Sequence, residues 1–179
     1  MQTTRLMRFM SPSKSRFPIH FFSSTPSPPP IEPTPSPNSP HLLSVGHVLR
    51  FSRRFMDQDV ARFAEVTGDY NPVHLDSEFA KSVGGFDRGK VVHGMLVASL
   101  FPSIIASNFP GAVYVSQDLK FKLPVYVGDE VAAEVQAINI RQIKKKFIVK
   151  FTTKCFTNEF HPVVDGEAVA VLPSLNLMK

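Results

Sequence analysis

The succession of sequence patterns predicts an α+β fold in which one curved antiparallel sheet wraps a central buried helix. Three observations lead there. Residues 91–117 contain no Asp, Glu, Lys or Arg, so a helix in that stretch is apolar nearly all round and belongs in the interior. After Pro110-Gly111 the apolar spacing changes to strict alternation, the period of a half-buried strand. Finally, one strand-like segment and short amphipathic helices precede the apolar helix, and four strand-like segments follow it, an order that one sheet around one helix satisfies.

Taken in order, Val48 to Phe55 reads as the first strand, ending in the basic pair Arg53 and Arg54. Asp57 or Asp59 can cap a helix running to about Val66, with Val60, Phe63, Ala64 and Thr67 on one face. Gly68 stops it. Asp69 to His74 then reads as a loop, because Pro72 removes a backbone donor and pushes Asn71 out of the α region. Asp76 caps a short helical turn through Phe79 and Ala80, and Gly84, Gly85 and Gly89 mark a flexible connection carrying Phe86, Asp87 and Arg88. The buried helix repeats Leu96, Leu100, Ile104 and Val97, Phe101, Ile105 at four-residue spacing. At roughly 14 residues it is about 21 Å long, with a kink or early stop expected at Pro102.

Val113 to Tyr126 is the next strand, broken at Pro124, and Val127-Gly128-Asp129 makes a turn. Glu130 to Ile140 alternates around Val131, Ala133 and Val135, and Arg141–Lys146 is read as the following turn. Phe147, Val149, Phe151, Thr153 and Cys155 share one face, opposite Lys150, Thr152 and Lys154, and a last strand runs from about Gly166 to Leu172. This is the hot-dog arrangement. A single sheet of this kind leaves an edge that a second copy would cover, which predicts a homodimer.

The chain of 179 residues divides compositionally at about residue 40. Before it, Arg5, Arg8, Lys14 and Arg16 stand against the one acid Glu32, and 10 of the 16 prolines fall there. A basic, Phe- and Met-bearing segment followed by a Pro/Ser/Thr-rich run has the pattern of an organelle transit peptide and disordered linker. Early arginines favour the mitochondrion, and its matrix, over the plastid. Residues 41–179 then form the folded domain. Much of the net charge of +5 belongs to the leader, so the basic pI gives no support for nucleic-acid binding. The longest uncharged run is interrupted by Pro102, Pro110 and Gly111, which argues against a membrane span. Cys155 is the only cysteine, excluding an intrachain disulfide and a multi-cysteine zinc site, and His41 and His47 lack companion ligands. No metal or cofactor is expected.

Gly68-Asp69-Tyr70-Asn71-Pro72-Val73-His74 places a carboxylate and an imidazole on one stiff segment, the pairing a proton-transfer site needs. A neighbouring carboxylate favours the imidazolium and sets its tautomer. Asn71 either orients a water or hydroxyl or holds the turn through its own side chain. His93 is read as a structural, hydrogen-bonded His ahead of the helix. Lys144, Lys145 and Lys146 are read as edge-protecting lysines at a hairpin tip rather than as an acidic-partner site.

That segment, with Asp76, is similar to the hydratase motif of the MaoC-like (R)-specific enoyl-thioester hydratases and dehydratases. Val92-His93-Gly94-Met95-Leu96 resembles the start of their central helix, and Phe121 to Asp129 resembles their strand and turn; the likeness spans roughly residues 45–172. Asn108-Phe109-Pro110-Gly111 resembles the His-Phe-Pro-Gly motif of another hot-dog dehydratase class, but Asn108 occupies the His position, so it reads as a helix-ending turn. The MaoC-like resemblance implies catalytic roles for Asp69 and His74, with the Gly94 amide at the helix start stabilising the thioester oxyanion. Asn71, Phe86, Met95 and Leu96 are the substrate-binding candidates, the last three lining an acyl channel or simply belonging to the core. With the leader, the resemblance implies dehydration of (3R)-3-hydroxyacyl thioesters on acyl carrier protein in mitochondrial type II fatty-acid synthesis. The alternatives are an (R)-specific trans-2-enoyl-CoA hydratase, a non-catalytic acyl-thioester-binding module and a hot-dog thioesterase.

Overall fold

The alternation in the C-terminal half produces long paired strands. In the computed structural model, which describes residues 43–157 and 161–173, these are β2 (Val113–Phe121), β3 (Glu130–Ile143), β4 (Lys146–Phe156) and β5 (Pro162–Leu172), joined by the earlier β1 (Val48–Arg54). The leader, His41 and the last six residues lie outside the described residues. The five strands form one antiparallel sheet in the order β1-β3-β4-β5-β2. Consecutive β2 and β3 are therefore not neighbours, and β1 and β2 are the two edges.

The sheet buries one face. Val131, Ala133, Val135, Val149, Phe151 and Cys155 are all buried, and the lysines of β4 turn outward, as the alternation requires. Against that face lie α4 (Gly94–Ala98) and α5 (Leu100–Asn108), whose Val97, Leu100, Phe101, Ile104 and Ile105 are buried. Side chains of this kind each contribute roughly 1.5–3 kcal/mol on burial. The expected single helix is interrupted at Ser99, three residues before Pro102. Proline has no N–H to give to the carbonyl of Ala98 four residues back, so the ladder opens one turn ahead of it.

Several boundaries differ from the sequence expectation. The β3–β4 hairpin is longer, with its turn only at Lys144-Lys145, where Lys144 takes φ 56. β5 begins at Pro162 rather than Gly166, and β2 ends at Phe121, after which the chain holds on through Lys122 N–H to the Val163 carbonyl (2.9 Å). Tyr126 forms an isolated bridge with Val91. In α1 (Asp57–Thr67) the cap is Met56, and Asp59 instead accepts the Met56 N–H at 2.9 Å, the returning half of a capping box. Gly166 allows β2 and β5 to cross closely: a Cβ there would sit 1.8 Å from the Asp118 carbonyl oxygen.

Candidate active site

The site begins where α1 ends. Gly68 adopts φ 76 and gives its N–H to the Ala64 carbonyl at 2.8 Å, turning the chain sharply. Thr67 Oγ1 accepts the Asp69 N–H (3.3 Å), Asp69 Oδ1 accepts the Asn71 N–H (3.2 Å), and Asn71 Oδ1 accepts the Val73 N–H (3.3 Å). Each polar side chain thus fixes the backbone two residues on. Pro72 does not prevent helix here. It occupies the first position of the one-turn α2 (Pro72–Leu75), where no N–H is needed, so His74 sits on a helical turn rather than on an irregular loop. Asp76 caps α3 (Ser77–Ser82), accepting the Glu78 and Phe79 N–H groups.

His74 is half-buried, and its Nδ1–H donates to the Val91 carbonyl at 2.8 Å. That contact assigns the tautomer and leaves a lone pair on Nε2. Burial pushes the His74 imidazole below its ordinary value, the Val91 hydrogen bond opposes this, nearby His93 lowers it further and Asp69 raises it. The net direction reverses the sequence expectation: desolvation outweighs the carboxylate, so the neutral ring is favoured. The Asp69 side chain is 51% exposed and faces the same space.

His93 is only 2% exposed. Its Nε2–H donates to the Asp69 backbone carbonyl at 3.0 Å, and its ring stacks on His74 with centroids 3.8 Å apart and planes 28° apart. Phe63 flanks it at 5.0 Å. Among the described residues Nδ1 is buried without a hydrogen-bond partner, an arrangement that costs about 1–3 kcal/mol. The expectation of a hydrogen-bonded His before the helix is met, though its side chain bonds Asp69 and not the helix amides.

Gly94 opens α4. The Leu96 and Val97 N–H groups converge on the His93 carbonyl (3.0 and 3.2 Å), whereas the Gly94 and Met95 N–H groups, ahead of them, have no carbonyl a turn earlier to take. A Cβ at Gly94 would meet the Phe121 ring at 2.7 Å, so the absence of a side chain lets the ring lie over the helix start.

Asp69, His74 and Gly94 open onto one pocket of about 550 Å³. Phe86 and Met95 line it; Leu96 packs against the core instead, and Asn71 serves as the α2 cap, neither of them lining the pocket. Lys144, Lys145 and Lys146 lie at the hairpin and do not line it. The remaining wall comes from Phe63 and Thr67 of α1, Val91, Val92, His93 and Val97, the 121–125 segment and Val164. Sequence reading placed Phe63 and Thr67 on one apolar helix face but gave no sign that the face borders a pocket. The 121–125 wall was legible only as part of a strand. The two residues after Phe86 are held by a clamp: Arg88 reaches both carboxylate oxygens of buried Asp129 (2.6 and 3.2 Å), Asp129 accepts the Tyr126 N–H (3.1 Å), and Tyr126 donates to Asp87 (2.8 Å).

One Asp69 oxygen and one ring nitrogen each from His74 and His93 lie within 4.8 Å of one another. Stacked rings direct their in-plane lone pairs side by side, not toward a common point, and His93 Nε2 carries the proton it gives to Asp69. The trio fits proton chemistry better than tetrahedral coordination.

A curved five-stranded sheet around a central helix, with an acid and an imidazole facing that helix's start, defines a hot-dog protein. The chain belongs to the MaoC-like family: the MaoC like domain matches residues 40–159. It is 58% identical over 137 residues to the mitochondrial 3-hydroxyacyl-[acyl-carrier-protein] dehydratase FERN of Solanum lycopersicum, covering 76% of this chain and 82% of that one. It is 55% identical over 139 residues to the mitochondrial 3-hydroxyacyl-[acyl-carrier-protein] dehydratase of Arabidopsis thaliana, with 77% and 82% covered. The (R)-specific enoyl-CoA hydratase of Aeromonas caviae is 46% identical over 137 residues, 75% of this chain and 99% of that one. The solved (R)-hydratase of A. caviae involved in PHA biosynthesis superposes with a TM-score of 0.66 at 44% identity, covering 75% and 98%.

Proposed function

We propose that this chain is a (3R)-3-hydroxyacyl-[acyl-carrier-protein] dehydratase of mitochondrial type II fatty-acid synthesis, a hydro-lyase producing trans-2-enoyl thioesters. The observation that carries this is the meeting of Asp69, the free Nε2 of His74 and the start of α4 at Gly94 on one pocket with mostly apolar walls. The acyl chain lies among Phe86, Met95 and Phe121, and the thioester carbonyl points at the Gly94 N–H. Neutral His74 takes the C2 proton on Nε2. Negative charge moves to the thioester oxygen, where the Gly94 amide stabilises it. As the C2=C3 bond forms and the C3–O bond breaks, the imidazolium returns that proton to the departing hydroxyl, releasing water. Asp69 stabilises the imidazolium between these transfers. Run backward, the same steps hydrate the enoyl thioester, the reaction named for the A. caviae relative.

The dehydratases of tomato and Arabidopsis are named mitochondrial, which supports reading residues 1–40 as transit peptide and linker and residues 41–179 as the matrix enzyme. Edge strand β2 exposes Val113 and Val115 (58% each), supporting a homodimer paired along that edge.

Asp69→Asn and His74→Ala, assayed at equal folded concentration on matched carrier-protein and coenzyme A 3-hydroxyacyl substrates, test the proposal. Both are expected to lose at least about 10²-fold in kcat, with the carrier-protein substrate preferred by the parent. Unchanged turnover in both variants overturns the site. A strong coenzyme A preference points to the hydratase reading, release of free thiol to a thioesterase, and an inactive parent to an acyl-binding module.

A further inference from the structure

The imidazole of His93 has no step in the reaction above, yet it touches every part that has one. Its Nε2–H holds the Asp69 carbonyl at 3.0 Å, and its face lies 3.8 Å from the His74 ring. Its own carbonyl receives the Leu96 and Val97 amides that set the first turn of α4, the turn that Gly94 opens. Phe63 closes the other side at 5.0 Å. A phenylalanine would fill this space without leaving a buried nitrogen unpartnered, as His93 Nδ1 is. A buried polar group with one unsatisfied atom is retained economically only when its satisfied atom has a task.

We infer that His93 is a positioning residue that locks the acid, the imidazole and the helix-start amide into one rigid unit through its Nε2–H bond to Asp69 and its stack on His74. The inference rests on the reading of Asp69 and His74 as the catalytic pair. Without the hydrogen bond, the turn carrying Asp69 is free to move relative to α4. Without the stack, the His74 ring keeps its hydrogen bond to Val91 but loses the face that fixes its plane. Misplacement of about 1 Å at such a site is enough to cost about 10²-fold in rate. The charged or titratable groups facing His74 are Asp69 and His93, with Lys122 lining the same pocket. Loss of His93 in favour of an equally buried apolar ring removes an influence that lowers the His74 pKa while keeping the burial.

His93→Phe keeps the stack and loses the donor; His93→Gln keeps a donor of similar reach and loses the stack. His93→Phe is expected to lower kcat by about 10²-fold with KM within about twofold, and to move the His74 limb of the kcat/KM profile to higher pH. His93→Gln should recover part of that kcat. Should His93→Phe not fold, His93→Gln and His93→Asn make the same comparison, because the shorter Asn amide stops short of the Asp69 carbonyl; equal kcat in the two overturns the inference. Folded His93→Phe and His93→Gln with parental kcat, KM and pH profile also overturn it. Turnover that survives Asp69→Asn and His74→Ala overturns the catalytic pair instead, so the two failures are distinguishable.

Discussion

Gly94→Ala separates the oxyanion role of the helix start from its packing role. The added Cβ would lie 2.7, 2.9 and 3.3 Å from three carbons of the Phe121 ring, against about 3.5–4.0 Å for ordinary carbon contacts. The ring must therefore retreat by about 1 Å, which is feasible because Phe121 is 52% exposed. Folding should tolerate the change. Alanine gains up to about 1 kcal/mol over glycine in a helix, which offsets the displaced ring and leaves the melting temperature within about 5 °C. Catalysis should not tolerate it. In the proposed mechanism the methyl group and the displaced Phe121 ring crowd the thioester oxygen away from the residue-94 N–H, and a lost oxyanion contact costs about 10²–10³-fold in kcat. Steady-state kinetics on a 3-hydroxyacyl thioester, beside thermal melting, reads both effects. Gly94→Ala combined with Phe121→Ala removes the clash while keeping the methyl group. If the double variant regains parental kcat, the loss came from the displaced ring; if Gly94→Ala alone keeps parental kcat, the reaction does not need a side-chain-free approach at residue 94 and the reasoning is refuted.

Two further perturbations follow from the geometry. The His74 pKa is lowered from 6.5 in the folded protein, chiefly by burial, so the unfolded chain binds more protons between the lowered value and about 6.5. The parent should therefore lose stability as pH falls through that window, relative to His74→Asn, and the difference between the two melting curves should stay flat above it; a pH-independent difference would refute the assignment. Asp129→Ala removes the acceptor for Arg88 and for the Tyr126 N–H, which should cost about 2 kcal/mol in urea unfolding and raise KM more than it lowers kcat, because the Phe86 segment loosens.

The fold was legible because two periodicities are unusually clean. An uncharged helix and four alternating strands leave little choice of architecture, and the buried faces of β3 and β4 are the ones the alternation names. Turns were less legible. The tip residue Lys144 in the left-handed region gave no glycine or asparagine signal, so the β3–β4 hairpin was read too short. Asp69 and His74 stand out by their spacing and Gly94 by the motif resemblance, and the structure brings the three to one pocket. The 121–125 wall was not legible, because its role depends on β2 pairing with β5 across the sheet rather than with its sequence neighbour β3. Leu96 and Met95 illustrate the same limit: adjacent on one apolar helix, only Met95 turns to the pocket.

The direction of the His74 shift bears on how the pocket works. A carboxylate beside an imidazole suggests a resting ion pair, and such a pair would spend the base before substrate arrives. Here the uncharged stretch from Val91 contributes both the buried helix and one wall of the pocket, with Val91, Val92 and Val97 around His74 and His93. Desolvation by burial is the largest influence on His74 and outweighs the Asp69 attraction. The His74 ring is thereby kept neutral with its Nε2 lone pair free, which in the proposed mechanism lets it take the C2 proton, and the half-exposed carboxylate acts there once the imidazolium forms. Under the proposed mechanism, the apolar surroundings that make this stretch a core element also favour the proton-accepting form of the neighbouring imidazole.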